Sequence, residues 1–329
     1  MQQRRVGIVG FGPVGSILGA YLVRSGVEVF GVELSRERAE QVNRDGLRIG
    51  GFAQLEENPE FCFSTIEELS EVEDLSMVFI CIKTWALPGF IESFTALQWP
   101  ESMRVVGAMN GIGPEDLIGE HFPKERVCRG VINYAGNQAT DGLTTMNWFH
   151  PPNLFGPATE RTPEKMNEIA DLLTQAGLTS LSVDHYEMKK SAFYKTILNS
   201  ALNALCAAHG LTMARAMHLR HTRRTAKVLL REGLTVAGLV GYNYGEDALD
   251  RCMEYLQGGG DHYPSMWFDI KERRPTEIEY IIGKIVKIGS MFRAVDVSHN
   301  LYFTSAIVTQ EIKNGTRLDD DIPEYLIEC

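Results

Sequence analysis

Gly10-Phe11-Gly12-Pro13-Val14-Gly15 is the first segment of this 329-residue chain whose residue types and spacing could do chemistry. It follows an apolar run, Val6 to Val9, and opens a helix-like stretch, Val14 to Ser25. In that context G-x-G-x-x-G binds the pyrophosphate of a dinucleotide. Gly10 permits the tight turn, Gly12 lets the backbone approach the pyrophosphate, and Gly15 lets the helix pack on the strand. Pro13 suits the first helical turn, where its missing N–H has no intrahelical partner, and the amides that follow, from Val14 on, then face the phosphates. Glu33 ends the second expected strand, near where an acid meets the adenine ribose hydroxyls of NAD. A carboxylate there repels a 2′-phosphate, so NADH is expected over NADPH, although Arg36 and Arg38 could swing toward such a phosphate.

A second group of candidates stands where strands end. Ligands collect at the carboxyl ends of strands in open α/β sheets. Lys83 follows Met77 to Ile82, and Asn110 follows Arg104 to Met109 and precedes Gly111-Ile112-Gly113. Read singly, each is as well explained as an exposed loop lysine or a turn-forming Asn-Gly. Further on, Lys195, Asn199 and Asn203 recur at i, i+4, i+8, which places them on one face of a helix otherwise rich in apolar residues. Such a stripe needs partners, since burial without them costs several kcal/mol. It either closes a structural network or faces a polar ligand. Ser265, in His262-Tyr263-Pro264-Ser265-Met266, and Glu277, in Thr276-Glu277-Ile278-Glu279-Tyr280, complete the set. Thr276 could cap a following helix with Glu279 as its N3 partner, which leaves Glu277 without a structural role.

The elements that must position these residues divide the chain in two. In the first half, short β-rich runs (Val6 to Val9, Val27 to Val32, Met77 to Ile82, Arg104 to Met109, Arg126 to Asn133) alternate with helical or irregular crossovers (Val14 to Ser25, Arg36 to Asp45, Leu87 to Leu97), the pattern of a parallel sheet with helices on its faces. Ala135 to Gly156 reads as an antiparallel edge, Met166 to Ala176 as a helix and Thr179 to Val183 as a last strand. After Asp184 helical periodicity takes over: His185 to His209, Met213 to Val240, Glu246 to Leu256, Thr276 to Phe292 and Ser298 to Ile312. The expected fold is therefore α/β, a doubly wound Rossmann-like domain over residues 1–184 followed by an all-helical domain over 185–329.

With these pieces in order, the sequence resembles the ketopantoate reductases. The likeness runs through G-F-G-P-V-G at Gly10, I-K-T at Lys83, N-G-I-G at Asn110, Y-K-T-I-L-N-S-A-L-N around Lys195, P-S-M at Ser265 and T-E-I-E-Y-I at Glu277, and spans nearly the whole chain. The resemblance implies a cleft between the domains for a 2-oxo acid, Lys195 as general acid and Glu277 as partner of a substrate hydroxyl. It also places Lys83 and Asn110 beside nicotinamide and substrate, with Asn199, Asn203 and Ser265 as substrate contacts. Two positions depart from the family pattern: His262 stands where enzymes that make pantoate often have Asn, and Glu33 near where NADPH-using members often have a basic residue. The chemistry agrees with the implied roles. Hydride transfer to the 2-oxo carbon builds negative charge on the carbonyl oxygen, which a lysine ammonium can stabilise and protonate. Desolvation would lower the pKa of that lysine toward working pH, and a carboxylate at Glu277 rejects 2-oxo acids without a hydroxyl. The rival expectations are another 2-oxo acid, an opine-type reductive condensation, or a non-catalytic NAD(P)-sensing protein.

Composition narrows the remaining classes. The chain carries 32 Lys and Arg against 43 Asp and Glu, a formal charge of −11, and a field of that sign repels nucleic acid and anionic lipid. The basic stretch Arg215, Arg220, Arg223, Arg224, Lys227 and Arg231 then reads as a solvated helix face. His218 and His221 lack a third ligand, so no metal is expected. Six cysteines without C-x-x-C spacing fit a reducing compartment. Glycines interrupt the apolar start, no cleavage site follows, and no run reaches membrane-spanning length, so a cytoplasmic enzyme is expected. The apolar face of Val228 to Val240 fits either a core or a homodimer surface.

Overall fold

In the computed structural model, residues 4–160, 167–292 and 295–327 are described. The chain forms two compact units, the first from Met1–Met109 and Gly113–Lys189, the second from Asn110–Ile112 and Lys190–Cys329.

The first unit runs β1 (Arg5–Val9), α1 (Pro13–Arg24), β2 (Glu28–Val32), α2 (Arg36–Asp45), β3 (Leu47–Gly51), β4 (Leu55–Glu57), β5 (Phe61–Phe63), α3 (Ile66–Ser70), β6 (Leu75–Ile80), α4 (Leu87–Thr95), β7 (Arg104–Gly107), α5 (Pro114–His121), β8 (Val127–Val131), β9 (Tyr134–Gln138), β10 (Thr144–Phe149), β11 (Asn153–Pro157), α6 (Asn167–Gln175) and β12 (Ser180–Ser182). Eight strands form one sheet in the order β12-β11-β8-β7-β6-β1-β2-β5. Only the β8–β11 pairing in it is antiparallel among the described pairs. A sheet covered on both faces needs strands apolar on both sides, and β6 supplies this: Met77 and Phe79 join one core, Val78 and Ile80 the other. Because β1 lies between β2 and β6, its carboxyl end is the topological switch point, where a ligand crevice is expected.

The expected antiparallel edge resolves into two destinations. β9 and β10 pair antiparallel, but β10 also pairs in parallel with β3, giving a second sheet of order β4-β3-β10-β9. β11 instead joins the large sheet. The strands β3, β4 and β5 were not expected from the sequence: β4 and β5 have three residues each, too few to show alternation, and β3 ends in two glycines, which strands disfavour. Met166, the expected start of the helix observed as α6, lies outside the described residues.

The second unit is built on α7 (His185–His209), which begins in the first, followed by α8 (Met213–His218), α9 (Arg220–Leu239), α10 (Ala248–Gln257), α11 (Ser265–Lys271), α12 (Ile282–Ser290) and α13 (Ser298–Asn314). No strand follows β12 among the described residues. α7 places Phe193, Ile197, Leu198, Ala201, Leu202, Ala204, Leu205 and Cys206 in a single core with α9, α12 and α13. At about 1.5–3 kcal/mol for each large apolar side chain removed from water, this packing outweighs the mediocre helix propensity of its Asn, Ser and Thr residues.

Two helices correct the sequence expectation. Met213 to Val240 is not one helix, because Leu219 adopts an extended conformation (φ −70, ψ 126) and separates α8 from α9. The helix expected from Thr276 begins only at Ile282. Its proposed capping box does not form: the Thr276 hydroxyl accepts from the Ile278 amide (3.2 Å), closing a tight turn, and Glu279 pairs with Arg317 (2.7 Å).

Candidate functional site

The glycine loop joins β1 to α1 with three separate constraints. Gly10 has φ +92, a conformation L side chains rarely adopt. A Cβ on Gly15 would lie 2.0 Å from the Gly10 carbonyl oxygen, so only glycine lets the helix start this close to the turn. A Cβ on Gly12 would meet nothing within 4 Å, so its face is open to an approaching group. Gly12 is the N-cap of α1, Pro13 occupies the first turn, and no side chain caps the helix. An uncapped helix start behind a glycine turn is an anion site by its amides and dipole. These features fit a pyrophosphate.

Phe11 anchors the loop from within. Its ring is fully buried and passes so close to β2 that a Cβ on Gly31 would come within 2.0 Å of it. Its carbonyl accepts from Ser16 Oγ (2.7 Å) and Gln138 Nε2 (2.9 Å), and its amide donates to the Glu33 carboxylate. Glu33 follows β2 immediately rather than ending it. Burial pushes its carboxyl up, against the Phe11 amide and the Arg38 charge, which pull it down. Of the two arginines that could reach this corner, Arg36 is exposed and paired with Glu40 (3.0 Å). Arg38 is half-buried and held by Gln41 (2.7 Å). Gln138 was not legible as a site residue, since it reaches the loop from a strand 127 residues further along the chain.

Lys83 lies two residues beyond Cys81, whose amide donates to Val9 (2.8 Å) and whose carbonyl would meet a Gly10 Cβ at 3.2 Å. It therefore sits close in sequence to the floor of the glycine turn, half-buried at the start of the short 3-10 turn Thr84–Ala86. Asn110 belongs to the second unit. The neighbouring Ile112 amide donates to the Tyr280 carbonyl (2.9 Å), and at Gly111 (φ +94) a Cβ would lie 2.5 Å from that same oxygen. The Asn110 segment and the turn that carries Glu277 are thereby joined.

In the second unit Lys195 and Asn199 are half-buried on α7, and Asn203 is buried at 7% exposure. The hydroxyls beside them are turned back on their own helix, Thr196 to the Ala192 carbonyl (2.9 Å) and Ser200 to Ile197 (2.8 Å). Glu277 is 4% exposed, in the turn between α11 and α12. Ser265 is exposed at the first position of α11, and burial lowers the pKa of His262, three residues before it. Burial also pushes the thiols of Cys62, Cys81, Cys128 and Cys206 up to about 12, so these four supply no thiolate nucleophile. No group of three or more metal-ligating side chains occurs among the described residues, and no described helix is long and apolar enough to cross a membrane. Two residues at this site carried no local sequence signal: Glu311 and Arg317, which hold the Glu277 turn from the end of α13 and the segment after it.

Residues 6–150 match the family model described as "Ketopantoate reductase PanE/ApbA", and residues 187–310 match "Ketopantoate reductase PanE/ApbA C terminal". Among relatives, a 2-dehydropantoate 2-reductase of Archaeoglobus fulgidus is 25% identical over 300 residues, covering 89% of this chain and 93% of its own. One from Aquifex aeolicus is 26% identical over 314 residues, covering 93% and 97%. Among solved structures, a 2-dehydropantoate 2-reductase from Geobacter metallireducens superposes with a TM-score of 0.83 at 22% identity, covering 92% of this chain and 98% of its own. A D-mandelate dehydrogenase with NADH and anilino(oxo)acetate superposes with a TM-score of 0.81 at 24% identity, covering 94% and 99%. At those identities the two structures establish the shared fold.

Proposed function

The chain belongs to the ketopantoate reductase family, and from that premise we propose that it reduces 2-dehydropantoate, or a close branched 2-oxo acid, to the 2-hydroxy acid with NADH as reductant. The observation that carries the chemistry is a half-buried lysine, Lys195, with Asn199 and Asn203 at successive turns of α7, the helix that builds the core of the second unit. In this reading Lys195 stabilises and then protonates the 2-oxo oxygen while the two asparagines orient the substrate. Glu277 accepts from a substrate hydroxyl, and Ser265 is a further substrate contact. Lys83 and Asn110 stand beside nicotinamide and substrate. The glycine loop with Phe11, Pro13 and Val14 holds the pyrophosphate, and Glu33 accepts from the adenine ribose. Bound there, the nicotinamide supplies the hydride. The Glu33 carboxylate, fixed by the Phe11 amide, supports NADH, with Arg38 as the group that would favour NADPH.

The exchange balances: hydride adds to the carbonyl carbon, the proton of the Lys195 ammonium goes to the oxygen, and the amine is reprotonated by solvent. A different 2-oxo acid is the second reading. It is favoured by His262, which is half-buried and stands where, by the family resemblance, enzymes that make pantoate often have Asn. The D-mandelate dehydrogenase of similar fold supports it too, since that enzyme was solved with NADH and an oxo acid that carries an anilino group. A ketopantoate reductase from Staphylococcus aureus with a similar fold is dimeric, which supports a homodimer.

Initial rates of NADH and NADPH oxidation with 2-dehydropantoate and with aryl and alkyl 2-oxo acids test the reading. Lys195→Ala is expected to lower kcat by about 10² or more, the usual scale for loss of a general acid, while the Kd for NADH without substrate stays unchanged. Near-wild-type turnover by that variant would remove Lys195 from the mechanism. Nucleotide binding without turnover of any 2-oxo acid by the parent protein would favour a sensor.

A further inference from the structure

Glu277 sits in a turn, and a turn fixes its own backbone without fixing its place in the molecule. The Glu277 carbonyl accepts from the Tyr280 and Ile281 amides (3.1 Å each), and Ile278 accepts from Gly283 (2.9 Å). Ile278 and Ile281 pack the turn into the core, and a charged unit from the end of α13 and the segment after it supplies its polar ties. Glu311, 1% exposed, accepts from the Thr276 amide through Oε1 (2.7 Å) and from Arg317 Nε through Oε2 (2.7 Å). The same guanidinium reaches Glu279 through Nη1 (2.7 Å) and the Asp321 carbonyl (2.9 Å). One planar fork therefore holds the residue two after Glu277 directly and, through Glu311, the residue before it. The Tyr280 carbonyl then carries the constraint on to Ile112, two residues from Asn110.

We propose that Arg317, acting with Glu311, is the positioning residue that holds Glu277 where it can accept a hydroxyl of the substrate, and so sets selectivity for hydroxylated 2-oxo acids. The proposal rests on the assignment of Glu277 to that hydroxyl. Arginine suits the task because its rigid fork of donors can bond two carboxylates in fixed directions, whereas lysine offers a point charge on a flexible stem. Buried Glu311 needs the cation as well, since a lone carboxylate in the core is strongly penalised. A displacement of about 1 Å in a group that orients the substrate costs up to about 10²-fold in rate.

The test compares kcat/KM for 2-dehydropantoate with that for the analogue lacking its hydroxyl. Arg317→Lys is expected to reduce the preference for the hydroxylated substrate by about tenfold or more, with Arg317→Ala at the upper end of the 10²-fold scale. Glu279→Gln, which weakens only one arm of the fork, is expected to give a smaller loss in the same direction, and it reads the proposal even where Arg317→Ala does not fold. An unchanged ratio in Arg317→Lys, alongside a collapsed ratio in Glu277→Gln, would overturn the role of Arg317 and leave that of Glu277 standing. An unchanged ratio in Glu277→Gln would overturn the underlying assignment. Equal losses for both substrates in Arg317→Lys, with weakened NADH binding, would show a merely structural role and overturn the proposal.

Discussion

Glu33 is pulled in two directions at the scale of a single residue. Burial raises its carboxyl, and the Phe11 amide and the Arg38 charge lower it by less, so the net shift is upward. The folded chain then holds this proton more tightly than the unfolded chain. The contribution of Glu33 to stability is fully present below the unfolded carboxyl range and is lost as pH rises through the raised value. Glu33→Gln keeps an acceptor for Phe11 but cannot ionise. Without nucleotide it is expected to melt at an equal or higher temperature at neutral pH and to show a flatter Tm profile from acid to neutral, read by thermal denaturation in matched buffers. With nucleotide, the kcat/KM ratio of NADH to NADPH is expected to fall by about tenfold, the scale of one hydrogen bond to a charged group. An unmoved ratio would take Glu33 out of ribose recognition. This corner was legible in the sequence because the glycine spacing and the acid after the second strand are local signals. Gln138, which reaches Phe11 from 127 residues away, and Arg317 have no local signal, since only the folded chain brings them to their partners.

Helix starts show where local patterns hold and where tertiary contacts override them. Thr65 and Glu68 form a complete capping box at α3, as such a pair should. Thr276 and Glu279 have the same spacing and do not, because Glu311 takes the Thr276 amide and Arg317 takes Glu279. A pair of buried and half-buried charges outcompetes a cap of about 1 kcal/mol. The start of α13 shows the opposite solution. Its N-cap, Val297, has no side-chain acceptor, Asp296 takes the Ser298 amide (2.9 Å), and a second carboxylate comes from α9: Glu232, 7% exposed, accepts from the His299 amide (3.1 Å), His299 Nδ1 (2.9 Å), the Asn300 amide (3.0 Å) and Asn300 Nδ2 (2.7 Å). A negative group there also complements the helix dipole. Glu232→Ala leaves several buried donors without this acceptor and is expected to cost about 3 kcal/mol. Urea unfolding should show that as a lower midpoint with an unchanged m-value. A loss under about 0.5 kcal/mol, the range of an ordinary surface change, would mean that water replaces the carboxylate.

At the scale of the whole molecule, the strands of the large sheet were legible wherever apolar runs were long enough to be buried on both faces, as in β1, β6 and β7. The second sheet was legible only in its antiparallel β9–β10 part, because β4 has three residues, β3 ends in two glycines, and the β3–β10 pairing joins segments far apart along the chain. Net charge is a second whole-molecule property, readable from composition alone, and it bears on how ligands arrive. Both NADH and a 2-oxo acid are anions, and they approach a chain of formal charge −11. The cations of α9, Arg220, Arg223, Arg224 and Lys227, outnumber Asp250 and Glu254 around a cavity of about 660 Å³, but no residue of the glycine loop lines that cavity. Repulsion acts over the Debye length, which shrinks from about 30 Å at 0.01 M salt to about 8 Å at 0.15 M. Contacts within the glycine loop are short-range and are screened much less. The association rate of NADH, followed by stopped-flow quenching of tryptophan fluorescence, is therefore expected to rise severalfold over that salt range, on the lower side of the electrostatic effects of about 10 to 10³ seen for charge-steered encounters. The dissociation rate should change less, so affinity improves with salt. A falling association rate would show that cations near the loop, Arg38 and Lys83 first among them, outweigh the field of the whole chain during the encounter.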